Sequence, residues 1–290
     1  IDDAPFCIKV PGSGEYCPRN YDRRFHGQVT LTDALRQSYN VPAVKLADEV
    51  GLDVVRKVAT EFGIGSKMAP GPALALGASE VTLLELTGAY AGILNGGSSV
   101  SPYGLVELRL QGNTDPLMSA TGGIGERVIQ QEAAEKLTWM MHKVVNEGTG
   151  KRARLDGRDA AGKTGTSQSA KDAWFVGFTA DYVAGVWLGY DDNTPLTGVT
   201  GSGLPAEIWH EAMKRAHEGL PARVLPMRAP DPNEGNRPDA TEENVRTNST
   251  RTSSGIDRLL EGIFGGKVSG GTPEQAQERR RREEQNRDNR

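Results

Sequence analysis

The sequence predicts an α+β fold, with a helical half first, then an antiparallel sheet with a helix packed on it, then a polar tail. Three features of the chain predict it. Capped, one-sided apolar patterns recur before residue 150. Three strand-like runs follow between residues 161 and 190, joined by short links that imply an antiparallel meander. One further amphipathic pattern comes directly after them.

The first thirty or so residues are irregular, with turn signals at Pro11-Gly12-Ser13-Gly14 and Pro18-Arg19-Asn20. Thr30 with Asp33 three residues on resembles a capping box, and Leu31, Ala34 and Leu35 supply an apolar stripe that breaks at Ser38-Tyr39-Asn40. A second helix is expected behind the break, with Asn40 as its N-cap and Pro42 in its first turn, where a missing N–H costs nothing. It should stop at Gly51. A short helix is expected over residues 53–62, and a longer one over 83–94, begun by Thr82 and Glu85 and ended by Asn95-Gly96-Gly97. Residues 103–110 look strand-like. Residues 132–146 form an amphipathic pattern with Leu137, Met141, Val144 and Val145 on one face. The three strands are then expected at 161–167, 173–179 and 182–190. The last helix is expected over 204–217, with Ile208, Trp209, Met213 and Ala216 on its apolar side.

From residue 221 the composition turns to Pro, Asn, Thr, Ser, Glu and Arg, too polar to offset chain entropy, so residues 221–290 are expected to be a disordered tail behind a domain of residues 1–220. One island interrupts it: Ile256, Leu259, Leu260, Ile263 and Phe264 lie at helical spacing, a short one-sided helix over 256–264 that could dock on a partner or on its own domain.

The 290 residues carry a net charge of −4, which argues against a nucleic-acid partner. No run of about 18 apolar residues is present, so no part of this sequence reads as a membrane span. The chain opens in the manner of a mid-loop segment, and any membrane anchor is expected upstream. Cys7 and Cys17 can be free thiols or a disulfide, the latter placing the protein outside the cytoplasm. The four histidines, His26, His142, His210 and His217, form no triad or metal spacing, and neither a metal nor a cofactor is expected.

Two short signals carry chemistry: Ser38-Tyr39-Asn40 at a helix-to-helix turn and Lys163-Thr164-Gly165 on a strand. A serine hydroxyl both donates and accepts, so Ser38 can pass a proton. The Asn40 amide can hold an ammonium with its oxygen and a substrate carbonyl with its nitrogen. Lys163 supplies positive charge, Thr164 and Thr166 offer hydroxyls for a carboxylate, and Gly165 lets a substrate backbone approach a sheet edge. The Thr166 N–H suits an oxyanion-hole donor.

The pair of motifs resembles the S-x-N and K-T-G signatures of penicillin-binding proteins and serine β-lactamases. The likeness extends to Leu76-Gly77-Ala78-Ser79-Glu80, Gly88-Ala89-Tyr90-Ala91, Glu147-Gly148-Thr149-Gly150, Lys163-Thr164-Gly165-Thr166-Ser167, Asp172-Ala173-Trp174-Phe175 and Gly185-Val186-Trp187-Leu188-Gly189-Tyr190. In this order they are similar to the C-terminal part of a class A penicillin-binding protein transpeptidase domain. That resemblance implies an antiparallel sheet with packed helices and a helical subdomain. It implies a D,D-transpeptidase that cross-links peptidoglycan stem peptides through a serine acyl-enzyme and is inhibited by β-lactams. It also implies a glycosyltransferase domain upstream, lipid II as the precursor, and a location on the periplasmic face of the bacterial inner membrane. Ser38, Asn40 and Lys163 take the catalytic places, and Thr164, Gly165, Thr166 and Ser167 the substrate-binding ones.

One departure matters. No S-x-x-K, the motif carrying the nucleophile and its base, occurs in the chain. The resemblance therefore implies a nucleophile in a preceding segment. Two alternatives stand beside it: a D,D-carboxypeptidase, and a catalytically inactive domain that binds penicillin or peptidoglycan as a sensor or scaffold.

Overall fold

The computed structural model describes residues 1–120, 123–231 and 263. The expected helix over 256–264 lies outside these residues apart from Ile263.

The N-terminal stretch holds four short strands: β1 (Asp2–Asp3), β2 (Ile8–Val10), β3 (Gly14–Tyr16) and β4 (Gly27–Gln28). β1 pairs antiparallel with β4, and β2 with β3. The Cys7–Cys17 disulfide clamps the two ends of the β2–β3 hairpin, so of the two readings left open by the sequence the bonded one holds.

Helix α1 (Leu31–Gln37) begins as expected, with the Thr30 hydroxyl accepting from the Asp33 N–H at 3.0 Å. Helix α2 (Asn40–Val50) corrects one expectation: Tyr39, not Asn40, is the N-cap, and Asn40 is already helical. Helix α3 (Leu52–Glu61) follows, and α4 (Leu83–Leu94) carries the full Thr82–Glu85 capping box. Next come β5 (Ser98–Ser101), β6 (Glu107–Leu108), β7 (Met118–Ser119) and β8 (Gly123–Arg127). The expected strand over 103–110 shrinks to the two residues of β6. Tyr103, Leu105, Val106, Leu108 and Leu110 are all exposed there, and with no layer of the described residues burying either face the alternation of apolar residues has no core to select it.

Helix α5 (Gln131–Glu147) buries Ala134, Thr138, Met141, Val144 and Val145. Behind it lie β9 (Ala161–Thr166), β10 (Asp172–Phe178) and β11 (Val183–Gly189), then α6 (Leu204–Ala216). The three strands form one antiparallel sheet in the order β11-β10-β9, with Lys163 opposite Val176, Thr164 opposite Phe175 and Gly165 opposite Trp174. Strand β9 therefore lies at an edge of the described sheet.

Helices cover both faces of this sheet. On one, Phe175 and Trp209 meet edge to face with centroids 5.3 Å apart, beside Ala206 and Met213 of α6. Trp209 is fully buried, and its indole N–H is satisfied by the Ala184 carbonyl at 3.0 Å and the Gly177 carbonyl at 3.3 Å. This close seat explains Gly177: a Cβ there would stand 2.8 Å from the Ala161 carbonyl oxygen and 3.2 Å from the Trp209 ring. On the other face Phe178 packs with Met141 and Ala161, with flanking side chains from α1 and α4. Residues 175–178 are thus buried on both sides, which is why they read as a continuous apolar run.

The α6 face differs from expectation. Pro205, Ala206, Trp209 and Met213 are buried, whereas Ile208 and Ala216 face outward. The sheet approaches from the 206–209–213 side of the helix, a choice of phase that an apolar count over one turn does not resolve. Past residue 220, where the tail was expected to begin, the chain continues across the domain: Leu225 is 1% exposed and joins the Met141–Phe178 cluster.

Candidate active site

The two chemistry-bearing motifs meet. Lys163 Nζ lies 2.7 Å from Ser38 Oγ and 3.0 Å from the Thr164 carbonyl. The contact joins the end of α1 to edge strand β9 across a long sequence separation. Its geometry follows from the helix end. Ser38 is the C-cap of α1 and adopts a left-handed conformation, φ 59° and ψ 44°, so that its N–H and the Tyr39 N–H both turn back to the last helical carbonyls. Glycine would hold this position at less cost, so a serine here is retained backbone strain.

The turn after α5 brings the two halves together. The Thr149 N–H donates to the Arg36 carbonyl of α1 at 3.2 Å, Arg36 reaches Glu147 at 3.3 Å, and the Thr149 hydroxyl meets the Thr164 hydroxyl at 2.8 Å. One short turn therefore sets the distance from α1 to β9.

Lys163 is half-buried, and desolvation lowers its pKa to about 8. An ammonium held this close to neutrality both carries charge and exchanges a proton near physiological pH. With Nζ donating to Ser38 Oγ, the serine proton is directed away from the lysine, which suits a hydroxyl that receives on one side and donates on the other.

The other expected residues are placed as follows. Alternation along β9 sets Thr164 and Thr166 on the face opposite Lys163. The Thr166 hydroxyl accepts from the Gly201 N–H at 3.0 Å, and Gly165 sits between them on the edge strand. Ser167 closes the β9–β10 connection instead of reaching outward: its hydroxyl accepts from the Asp172 N–H at 2.8 Å and its own N–H donates to the Asp172 carbonyl at 3.0 Å. The Asn40 amide nitrogen, expected to hold a substrate carbonyl, instead donates to the Arg19 carbonyl at 2.8 Å.

Three features of the site were not read from the sequence. Thr149 could have been, because it stands in a Gly-flanked turn directly after a helix. So could Gly201, in the glycine-rich run Thr200-Gly201-Ser202-Gly203 before α6. A Cβ at Gly201 would collide with the Gly165 and Trp174 carbonyl oxygens and stand 2.8 Å from the Gly165 nitrogen, so this loop lies directly on the edge of the motif. The third, a cluster of Asp3, Asn20 and His26 behind Tyr39 and Asn40, leaves no local signal, since its members come from separate stretches of chain.

The family described as "Penicillin binding protein transpeptidase domain" matches residues 7–214. Penicillin-binding protein 1A of Aquifex aeolicus (strain VF5) is 39% identical over 206 residues, covering 70% of this chain and 28% of that protein. Penicillin-binding protein 1B of Vibrio cholerae serotype O1 is 36% identical over 208 residues, covering 70% of this chain and 26% of that one. The crystal structure of penicillin-binding protein 1A from Haemophilus influenzae superposes with a TM-score of 0.68 at 30% identity, covering 78% of this chain and 40% of that chain. The chain thus spans between a quarter and a third of the length of these curated relatives.

Proposed function

We propose, since this chain belongs to the family of penicillin-binding-protein transpeptidase domains, that it supplies the carboxylate-gripping and proton-relaying half of a D,D-transpeptidase site. The observation that carries this reading is the 2.7 Å contact between Lys163 Nζ and Ser38 Oγ, made by a lysine whose pKa is lowered to about 8.

In this reading a serine of an S-x-x-K in a preceding segment attacks the carbonyl between two terminal D-alanines of a peptidoglycan stem. The amide C–N bond breaks, Ser38 passes a proton to the departing nitrogen, and the terminal D-alanine leaves an ester on the serine. An amine of a second stem then takes the acyl group and returns the proton along the same path. Lys163 provides the field that holds the substrate carboxylate, with Thr164 and Thr166 beside the Gly165 edge where the stem lies against β9. Asn40 orients the Ser38 turn. β-Lactams enter as mimics of the D-Ala-D-Ala terminus. The whole protein combines this activity with a glycosyltransferase domain upstream that polymerises lipid II, and sits on the periplasmic face of the inner membrane. No helix of the described residues is long and apolar enough to cross a membrane, and we place the anchor in the upstream segment. The apolar island at residues 256–264 of the polar tail is a further contact for a protein partner.

The test is covalent labelling of the full-length protein by a fluorescent penicillin. Labelling is expected, and Ser38→Ala or Lys163→Ala should slow it by about a hundredfold or more. A full-length protein that takes no label overturns the enzyme reading in favour of an inactive sensor or scaffold. Muropeptides from a lipid II reaction then separate the remaining two: cross-linked stems support the transpeptidase, and trimmed but unlinked stems a carboxypeptidase.

A further inference from the structure

Helix α2 begins inside the site, at Asn40, and its N-cap residue Tyr39 offers no side-chain acceptor to the first turn. The N–H groups at a helix start need acceptors from elsewhere. Here they find one in a distant loop: Asn20 Oδ1 accepts from the Asn40 N–H at 2.9 Å and the Val41 N–H at 3.2 Å. Asn20 is 4% exposed, so water does not substitute for it.

The amide is itself held in one orientation. Asn20 Nδ2 donates to both carboxylate oxygens of Asp3, at 2.9 and 2.7 Å, and to the Arg24 carbonyl at 2.8 Å. A flipped amide would set N–H against N–H at the helix and oxygen against carboxylate at Asp3. Asp3 is fully buried and also accepts from the His26 N–H at 3.0 Å, with His26 Nδ1 at 2.7 Å. The His26 ring lies flat on the Tyr39 ring, centroids 4.1 Å apart at 13°. With the Arg19 carbonyl on the Asn40 side chain, the loop from Arg19 to His26 touches this turn at the Asn40 backbone, the Asn40 amide and the Tyr39 ring.

We infer that Asn20, backed by buried Asp3 and by His26, is a positioning residue for acyl transfer: it fixes the Ser38-Tyr39-Asn40 turn and thereby the approach of Ser38 to Lys163. The inference rests on the proposed reading of Ser38 and Lys163 as the relay. Its physical basis is that a buried, doubly accepting amide sets the direction of α2 where it leaves Ser38, and Ser38 has no side-chain tether other than Lys163 among the described residues.

Two variants of the full-length protein test it. Asn20→Ala removes both acceptances and the link to Asp3. Asn20→Asp keeps the acceptor for Asn40 and Val41 but sets two buried carboxylates against each other, a pair that is accommodated only while it shares a proton and that repels once rising pH removes it. Three quantities are read: amide hydrogen exchange at Asn40 and Val41, the penicillin acylation rate per folded molecule, and its pH profile. Asn20→Ala should expose both amides to exchange and slow acylation by about ten- to a hundredfold. It should also move the inflection belonging to Lys163 upward, as water reaches the ammonium. Asn20→Asp should match the wild type while the carboxylate pair holds its proton and fall below the wild-type rate at the same pH once that proton is lost, a signature that survives should Asn20→Ala fail to fold. Wild-type rate and profile in Asn20→Ala, or a rate in Asn20→Asp that tracks the wild type at every pH, would overturn the inference while the enzyme reading stands. A wild-type protein that takes no label sinks the enzyme reading instead, and the positioning role falls with it even if the exchange data confirm the cap.

Discussion

Gly201→Ala isolates the packing of the 200–203 loop on the motif strand. Gly201 is not among the residues with positive φ, so alanine escapes the left-handed penalty and the steric clash is what the substitution probes. The added methyl would collide with the carbonyl oxygens of Gly165 and Trp174, and backbone in a three-stranded sheet cannot swing aside as a side-chain tip can. Relief requires the loop to lift, which breaks the 3.0 Å bond from the Gly201 N–H to the Thr166 hydroxyl. Overpacking costs typically 1–3 kcal/mol and a lost hydrogen bond about 1, so a destabilisation of about 3 kcal/mol is expected. For a domain of this size that lowers Tm by roughly 6–12 °C. Calorimetry measures the shift, and penicillin labelling of the folded fraction should fall with it because Thr166 is released. Gly71→Ala is the control: that glycine has extended backbone and open space around its missing Cβ, and should be neutral within about 0.5 kcal/mol. If Gly201→Ala melts with the wild type, the loop does not rest on the strand as described.

The other predictions concern titration and cross-linking. With the Lys163 pKa at about 8, penicillin labelling should decline as pH rises through that value and the ammonium is lost, and Lys163→Arg should remove the decline within the range to pH 9; a flat wild-type profile would contradict the role of charge. Glu85 accepts from the N–H groups of Gly65, Ser66 and Thr82 and from the Ser66 and Thr82 hydroxyls, and its pKa is lowered to about 2, chiefly by the Ser66 hydroxyl. A depressed carboxylate pKa means stability present above the ordinary value of 4.5 and lost as pH falls toward 2. Urea titrations should therefore show Glu85→Gln weaker than wild type at pH 6 and the gap closing by pH 2. Cys7 and Cys17 should alkylate only after reduction, and replacing both by serine should cost about 2–3 kcal/mol by loosening the unfolded chain.

Much of the fold was legible because its signals are local. The Thr82–Glu85 box and the Asn95-Gly96-Gly97 stop place α4 within the chain without any partner. The meander over β9 to β11 follows from short links between β-rich runs. The strand expected over 103–110 failed for the opposite reason, since a period-two pattern acquires meaning only when a second layer covers one face. Asn40 as N-cap failed because the acceptor for the first turn of α2 is a side chain twenty positions earlier in the chain, as the Asn20 contact shows.

The sequence by itself determined which groups are available: a serine and an asparagine at a helix break, and a lysine between small residues on a strand. Residue type and spacing set those, and no fold is needed to read them. The tertiary structure alone decided that Ser38 and Lys163 touch, that Lys163 loses part of its hydration, that Ser167 closes a turn, and that Asp3, Asn20 and His26 stand behind the serine turn. Each of these depends on distance through space and on exclusion of water, quantities that arise only when α1, β9 and the turn at Thr149 pack against one another.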